Sequence, residues 1–306
     1  MVHVHPSTRT YLIISQEQGQ TWSDPVNPDS LGANGVCIAE IDGIWIINNF
    51  HWIVKPQEER DTLEGYDFIM EMANTGMVAA LEGVYTIRSS DQGQSWGSLE
   101  KMTVPDWDQS STAGPVIQRT EGAWLMPMNR DIRQGANTSP WIAISSDHGK
   151  SWSFLAAYGE DVDLRFAENR ILALPENQIL SLVRTQNGNF WQSHSPDGGQ
   201  TWSPIRETPV PCLGSSPADL LLLQDGRILC TYGNRKRAPL GVRGCLSEDG
   251  GRTWNMKQEI ILRDDAAHHD MGYPSSKQFE DGSILTVYYW QDENQVRHLA
   301  STHWRV

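Results

Sequence analysis

Ser195-Pro196-Asp197-Gly198-Gly199-Gln200-Thr201-Trp202 and Ser247-Glu248-Asp249-Gly250-Gly251-Arg252-Thr253-Trp254 are two copies of one pattern, S-x-D-x-G-x-T-W. It recurs with a second serine as Ser145, Asp147, Gly149, Ser151, Trp152 and as Ser89, Asp91, Gly93, Ser95, Trp96. A further copy, Ser15, Glu17, Gly19, Thr21, Trp22, carries Glu in place of Asp. Each residue type has a physical task. The carboxylate hydrogen-bonds backbone amides in a tight turn, the glycine supplies a positive φ, and the indole packs between neighbouring sheets. The pattern therefore reads as a structural hairpin and not as a catalytic motif.

The starting serines, at 15, 89, 145, 195 and 247, lie 74, 56, 50 and 52 residues apart. That period suits one four-stranded blade per repeat, with an extra loop in the first interval. Between the repeats the chain reads as short strands, such as Ile179-Leu180-Ser181-Leu182-Val183 and Arg227-Ile228-Leu229-Cys230-Thr231-Tyr232, joined by turns such as Asp225-Gly226 and Asp281-Gly282. A sixth, degenerate position falls at Ser301-Thr302-His303-Trp304. Six positions imply an all-β, six-bladed β-propeller occupying residues 1–306 as a single domain. Only 14 residues precede the first repeat, so the first blade is expected to be incomplete at the N-terminus. Either a segment before Met1 is lacking or the first strand joins the last blade. An uncovered edge would pair with a second copy of the chain.

Composition narrows the function. The chain has 306 residues, 13 of them Trp, and a formal net charge of -14, with pI about 5.0. A nucleic acid or an anionic membrane would meet a repulsive field, so neither is expected as a partner. No apolar run approaches the roughly 20 residues of a membrane helix. The start Met1-Val2-His3-Val4-His5-Pro6 lacks an apolar signal core. The given chain thus reads as cytoplasmic, with secretion left open if a segment precedes Met1. Cys37, Cys212, Cys230 and Cys245 form neither a disulfide framework nor a C-x-x-C pair and are read as free thiols. His268-His269-Asp270 fixes no third ligand, because adjacent side chains on an extended segment point to opposite faces. No metal and no cofactor are expected.

Together with the segments between them, from about His3 to Trp304, the repeats resemble bacterial sialidase-family (neuraminidase-like) proteins with BNR or Asp-box repeats. In that family a glutamate on the fourth blade precedes the second of three substrate-binding arginines by about one hairpin. Phe166-Ala167-Glu168, leading through Leu174-Pro175-Glu176-Asn177 to Leu182-Val183-Arg184, is similar to that element. The resemblance places the third arginine at Arg243 in Gly241-Val242-Arg243-Gly244, with Arg235 and Arg237 nearby. It places the tyrosine nucleophile at Tyr273 in Gly272-Tyr273-Pro274-Ser275-Ser276. The arginine motif of the family's first blade has no counterpart. The acid/base aspartate has none that is clear either, leaving Asp270 and the stretch containing His3 and His5 as candidates. Tyr288-Tyr289 stands where the family often has Tyr-Glu, a carboxylate that would orient the first arginine.

The chemistry follows from the residue types. Two guanidinium forks converging on one point hold a carboxylate bidentately, which specifies a carbohydrate ligand that is an acid. An anionic nucleophile is repelled by an anomeric carbon bearing a carboxylate, whereas a neutral phenol activated by a glutamate is not, and sialidases do use tyrosine. The resemblance implies a retaining exo-glycosidase acting on terminal sialic acid or a related acidic sugar, with Tyr273 attacking and Glu168 accepting its proton. Two other readings remain open. One is a polysaccharide lyase or other glycosidase using His3, His5 or His269 as base, and the other is a non-catalytic carbohydrate-binding propeller.

Overall fold

The computed structural model describes residues 9–29, 34–66, 68–72, 75–130, 138–186, 188–212, 214 and 216–306. They fall into two compact units. One is built mainly of Asp24–Asn169, the other of Ile14–Ser23, Arg170–Asp197 and Thr201–Val306.

The first unit holds two antiparallel sheets. One comprises β1 (Asn34–Ile41), β2 (Ile44–Pro56), β3 (Ile69–Met72), β4 (Met77–Ser89) and β5 (Glu100–Lys101), in the order β1-β2-β4-β3 with β5 also on β4. The extra length expected in the first repeat interval is a 3-10 helix, Gln57–Leu63, together with β3. The other sheet comprises β6 (Ser110–Ser111), β7 (Ile117–Gln118), β8 (Trp124–Arg130), β9 (Pro140–Ser145) and β10 (Ser153–Ala157), in the order β10-β9-β8-β6 with β7 also on β8. In β8 Trp124, Leu125, Met126 and Met128 are all buried, as in a strand covered on both faces. Trp124, Met126 and Met128 pack with Ile46, Trp141 and Trp152 in one core.

The second unit holds three sheets. The first is β11 (Phe166–Leu174, its opening residues in the first unit), β12 (Gln178–Thr185), β13 (Gly188–Ser195) and β14 (Arg206–Cys212), in chain order. The next is β15 (Ala218–Leu222), β16 (Ile228–Asn234), β17 (Gly241–Ser247) and β18 (Ile260–Arg263). The last has three strands, β19 (Gly272–Gln278), β20 (Ile284–Gln291) and β21 (Arg297–Trp304). A buried ion pair joins two of these sheets: Arg170 donates to Asp219 of β15, whose other oxygen accepts the Ser276 amide of β19 at 2.6 Å.

The repeats at Asp91, Asp147 and Asp249 form one turn, made by the same bonds. In the copy at Asp91, Ser89 Oγ accepts the Gly93 amide at 2.8 Å and donates to Asp91, while Asp91 Oδ1 accepts the Ser95 amide at 2.9 Å. The copies at Asp147 and Asp249 repeat these bonds. The glycines adopt φ between 78° and 92°, at Gly19, Gly93, Gly149, Gly199 and Gly251. A Cβ on Gly251 would lie 2.5 Å from Leu180 of β12, so glycine also permits the turn to sit against the preceding sheet. Trp254 is buried beside Leu180 and donates to Gln192 of β13 at 2.8 Å, filling a gap between two sheets.

The fold is an all-β β-propeller, but five blades are described, not the six expected. The residues read as a sixth degenerate turn are strand. Ser301, Thr302, His303 and Trp304 pair with Val287, Thr286, Leu285 and Ile284 in β20. At the other end, the first repeat is flanked by a single bridge, Leu12 to Val26, with Ser23 N donating to Ile14 O. Its turn rests on the last sheet, where a Cβ on Gly19 would lie 2.7 Å from Leu285. The repeat signature thus marks a turn without guaranteeing the strands that make a blade. Among the described residues no helix is long and apolar enough to cross a membrane.

Candidate functional site

Tyr273 enters β19 through a bulge: Gly272 pairs with Tyr289 and Ser275 with Val287, leaving one extra residue on β19. Gly272 has φ 122° and Tyr273 has φ 52°, the left-handed region that a bulky side chain avoids. Ser216 supports the bend, accepting the Tyr273 amide at 3.3 Å. A Cβ on either Gly272 or Gly233 would come within 2.7 Å of Ser216 Oγ, which is why both positions need glycine. Backbone strain of this kind costs about 1–3 kcal/mol and persists where the surroundings impose it. The result is an aromatic ring left 39% exposed.

Two arginines meet this ring. Arg184, near the end of β12, donates from Nη1 to Tyr273 Oη at 3.3 Å. Arg235, in the loop after β16, lies with its guanidinium carbon 5.6 Å from the Tyr273 ring centroid and 5.7 Å from that of Tyr289. Arg235 Nε donates to Met271 O at 2.6 Å, Nη1 to Gly214 O at 3.3 Å, and Nη2 to Tyr289 Oη. The two tyrosine rings are 5.8 Å apart. Tyr289 donates in turn to Asp270 at 2.6 Å, and Arg297 Nε donates to the other oxygen of Asp270 at 2.7 Å.

Burial pushes the Asp270 carboxyl up, but hydrogen bonds from Tyr289 and Arg297 and the charges of Arg297 and Arg235 outweigh it and hold the group below the usual range. Burial pushes the Tyr289 phenol up, the Arg235 charge opposes this, and the bond to Asp270 adds to it, so Tyr289 keeps its proton. Asp270 is therefore an ionised acceptor at neutral pH, with no proton to give.

The other expected residues fall elsewhere. Arg243 lies in mid-β17 opposite Tyr232, only 3% exposed, and donates from Nη2 to Pro239 O at 2.8 Å. Arg235, not Arg243, is the arginine against Tyr273. The strand carries Arg243 into the interior, whereas the loop after β16 leaves Arg235 free to turn toward β19. Arg237 pairs with Glu259 at 2.8 Å. Glu168 stands at the start of β11 with φ 47°, also in the left-handed region. Its neighbours are anchored within the first unit: Phe166 O accepts from the Thr138 hydroxyl, and Asn169 donates to Tyr158 Oη at 2.8 Å. His3 and His5 lie outside the described residues. No group of three or more metal-ligating side chains occurs among the described residues. Cys37, Cys212, Cys230 and Cys245 form no disulfide among the described residues, and the last three are buried. Sequence reading noted Tyr289 only as a departure from Tyr-Glu, and gave no signal for Arg297 or Ser216.

A family model for the BNR repeat-like domain matches residues 68–286, well over half of the chain. The chain belongs to that family. This BNR repeat-like chain is 26% identical over 123 residues to the anhydrosialidase of Macrobdella decora, a match spanning 38% of the chain and 16% of that protein. A Dyadobacter fermentans protein of unknown function superimposes with a TM-score of 0.86 at 23% identity, over 100% of this chain and 86% of that one. The intramolecular trans-sialidase of Ruminococcus gnavus gives 0.68 at 15% identity, over 97% and 88%. A sialidase from Streptococcus pneumoniae gives 0.69 at 12% identity, over 99% and 64%. At these identities the structural likeness establishes a sialidase-like propeller fold.

Proposed function

We propose that the chain is a retaining exo-glycosidase of the sialidase type, acting on terminal sialic acid or a related acidic sugar. The observation that carries this reading is the convergence of Arg184, Arg235 and the exposed phenol of Tyr273. Two guanidinium groups would take the substrate carboxylate and so hold the adjacent anomeric carbon before Tyr273 Oη. In the first step the phenol oxygen forms a bond to that carbon as the glycosidic bond breaks, and the phenol proton is lost to solvent. Water then attacks the same carbon and releases Tyr273, the proton that the water loses ending on the phenol oxygen. The net result is hydrolysis with retained configuration. The relatives named as an anhydrosialidase and an intramolecular trans-sialidase support a variant in which a hydroxyl of the sugar itself takes the place of water.

The ionised state of Asp270 bears on the leaving group. With Asp270 accepting bonds from Tyr289 and Arg297, a departing alkoxide would receive no proton from it. An aryl leaving group needs none. Turnover is therefore expected on a 4-methylumbelliferyl sialoside and much slower turnover on an alkyl sialoside, with none on the matching uronate glycoside. Faster cleavage of the uronate glycoside would overturn the sialic-acid reading. The same feature favours a second reading, a propeller that binds an acidic sugar without cleaving it. Saturable binding of N-acetylneuraminic acid with no turnover of the aryl sialoside is its signature.

A further inference from the structure

The bonds around Asp270 have a forced direction. A guanidinium only donates, so the Tyr289 oxygen must accept from Arg235. The single proton of Tyr289 is then left to point at Asp270, which as a carboxylate only accepts. Arg297 closes the series by donating to the remaining oxygen of Asp270. Reversing any one bond would set two donors or two acceptors face to face. The series runs from Arg235 through Tyr289 to Asp270, joining a loop after β16 to β20 and to the segment before β19. Met271 O and Gly214 O fix the rest of the same guanidinium.

From this we infer that Asp270 is a positioning residue: through Tyr289 it holds the plane of Arg235 as a carboxylate-binding arm, and it is not the proton donor of the site. The inference rests on the reading of Arg235 as a substrate-binding group. Within the series Arg235 reaches Asp270 through the phenol of Tyr289. Its orientation is set by a hydrogen bond that Asp270 anchors.

The test reads Arg235 directly. In protein labelled with 15N-arginine, the Arg235 Nη–H signals are assigned by their loss in Arg235→Lys, and their exchange with water is measured in wild type, Tyr289→Phe, Asp270→Asn and the double variant. Both substitutions keep the side-chain shape. Tyr289→Phe is expected to speed exchange about five- to tenfold, the scale of one hydrogen bond. Asp270→Asn is expected to speed it in the same direction, and the double variant to match Tyr289→Phe alone, because Asp270 acts only through the phenol. Unchanged exchange in Tyr289→Phe, or separate losses that multiply in the double variant, would overturn the inference. Affinities for N-acetylneuraminic acid and its methyl ester then show whether this positioning serves a ligand. The acid-to-ester preference should fall in the same variants and in the same non-additive way. If the wild-type protein binds neither sugar, the functional reading fails, while the exchange data still decide the role of Asp270.

Discussion

The turn at Asp249 and the cluster around Asp270 stand about 20 residues apart in the second unit and use a carboxylate in opposite ways. Asp249 takes the amide and hydroxyl of Thr253, four residues on, and a hydroxyl two residues back. Every partner lies within one octapeptide, so the same octapeptide makes the same turn wherever it occurs. Asp270 takes Tyr289 and Arg297, 19 and 27 residues away, and through Tyr289 it reaches Arg235. Nothing in the sequence around Asp270 names those partners. The first carboxylate builds a scaffold that can be copied, and the second builds an arrangement that exists once.

The difference can be broken from either side. The largest effects are expected in the packing that both regions share. Asp219→Ala leaves Arg170 buried without its partner and the Ser276 amide without its acceptor. A loss of about 3–5 kcal/mol in urea unfolding is expected. Trp254→Ala empties a gap between two sheets and should cost a similar amount, about 3–5 kcal/mol, without altering ligand preference. A melting temperature within error of wild type for either variant would contradict these assignments. Arg184→Lys retains the charge but loses the fork, and is expected to weaken binding of N-acetylneuraminic acid about tenfold more than binding of its methyl ester. Equal losses for acid and ester would end the clamp.

Acid should separate the scaffold from the rest more gently. Hydrogen bonds from Ser95 and Ser89 hold the Asp91 carboxyl down to about 2. At Asp147 burial pushes upward, but bonds from Ser151, Ser145 and Lys150 prevail and bring it to about 2 as well. A folded value below the ordinary 3.8 means that these turns stabilise the fold fully above that value and lose their contribution as pH falls toward 2. The melting temperature is therefore expected to be level above about pH 5 and to drop between about pH 4 and pH 2. A melting temperature that held level to pH 2 would show that the turn carboxylates contribute nothing.

Legibility in the sequence follows the reach of the bonds. The turns, the strands between them and the family resemblance could be read from contiguous residues, and so could the insertion after the first repeat. The blade count could not, since Ser301–Trp304 has the look of a worn turn but is the edge strand of the last sheet. Tyr273 was marked by the resemblance of one contiguous stretch, Gly272-Tyr273-Pro274-Ser275-Ser276. The choice between Arg235 and Arg243 was not, because both lie within nine residues and only the end of β16 decides which one turns outward. Tyr289 and Arg297 belong to the cluster through tertiary pairing alone.

The account turns on Tyr273, and a covalent trap reads it most directly. Incubation with a 2,3-difluorinated sialosyl fluoride, followed by intact mass and peptide mapping, should give one adduct, on Tyr273, with Tyr273→Phe forming none while remaining folded and binding N-acetylneuraminic acid. An adduct on any other residue would contradict the assignment, and a folded protein that binds the sugar but forms no adduct and cleaves no aryl sialoside would contradict catalysis itself.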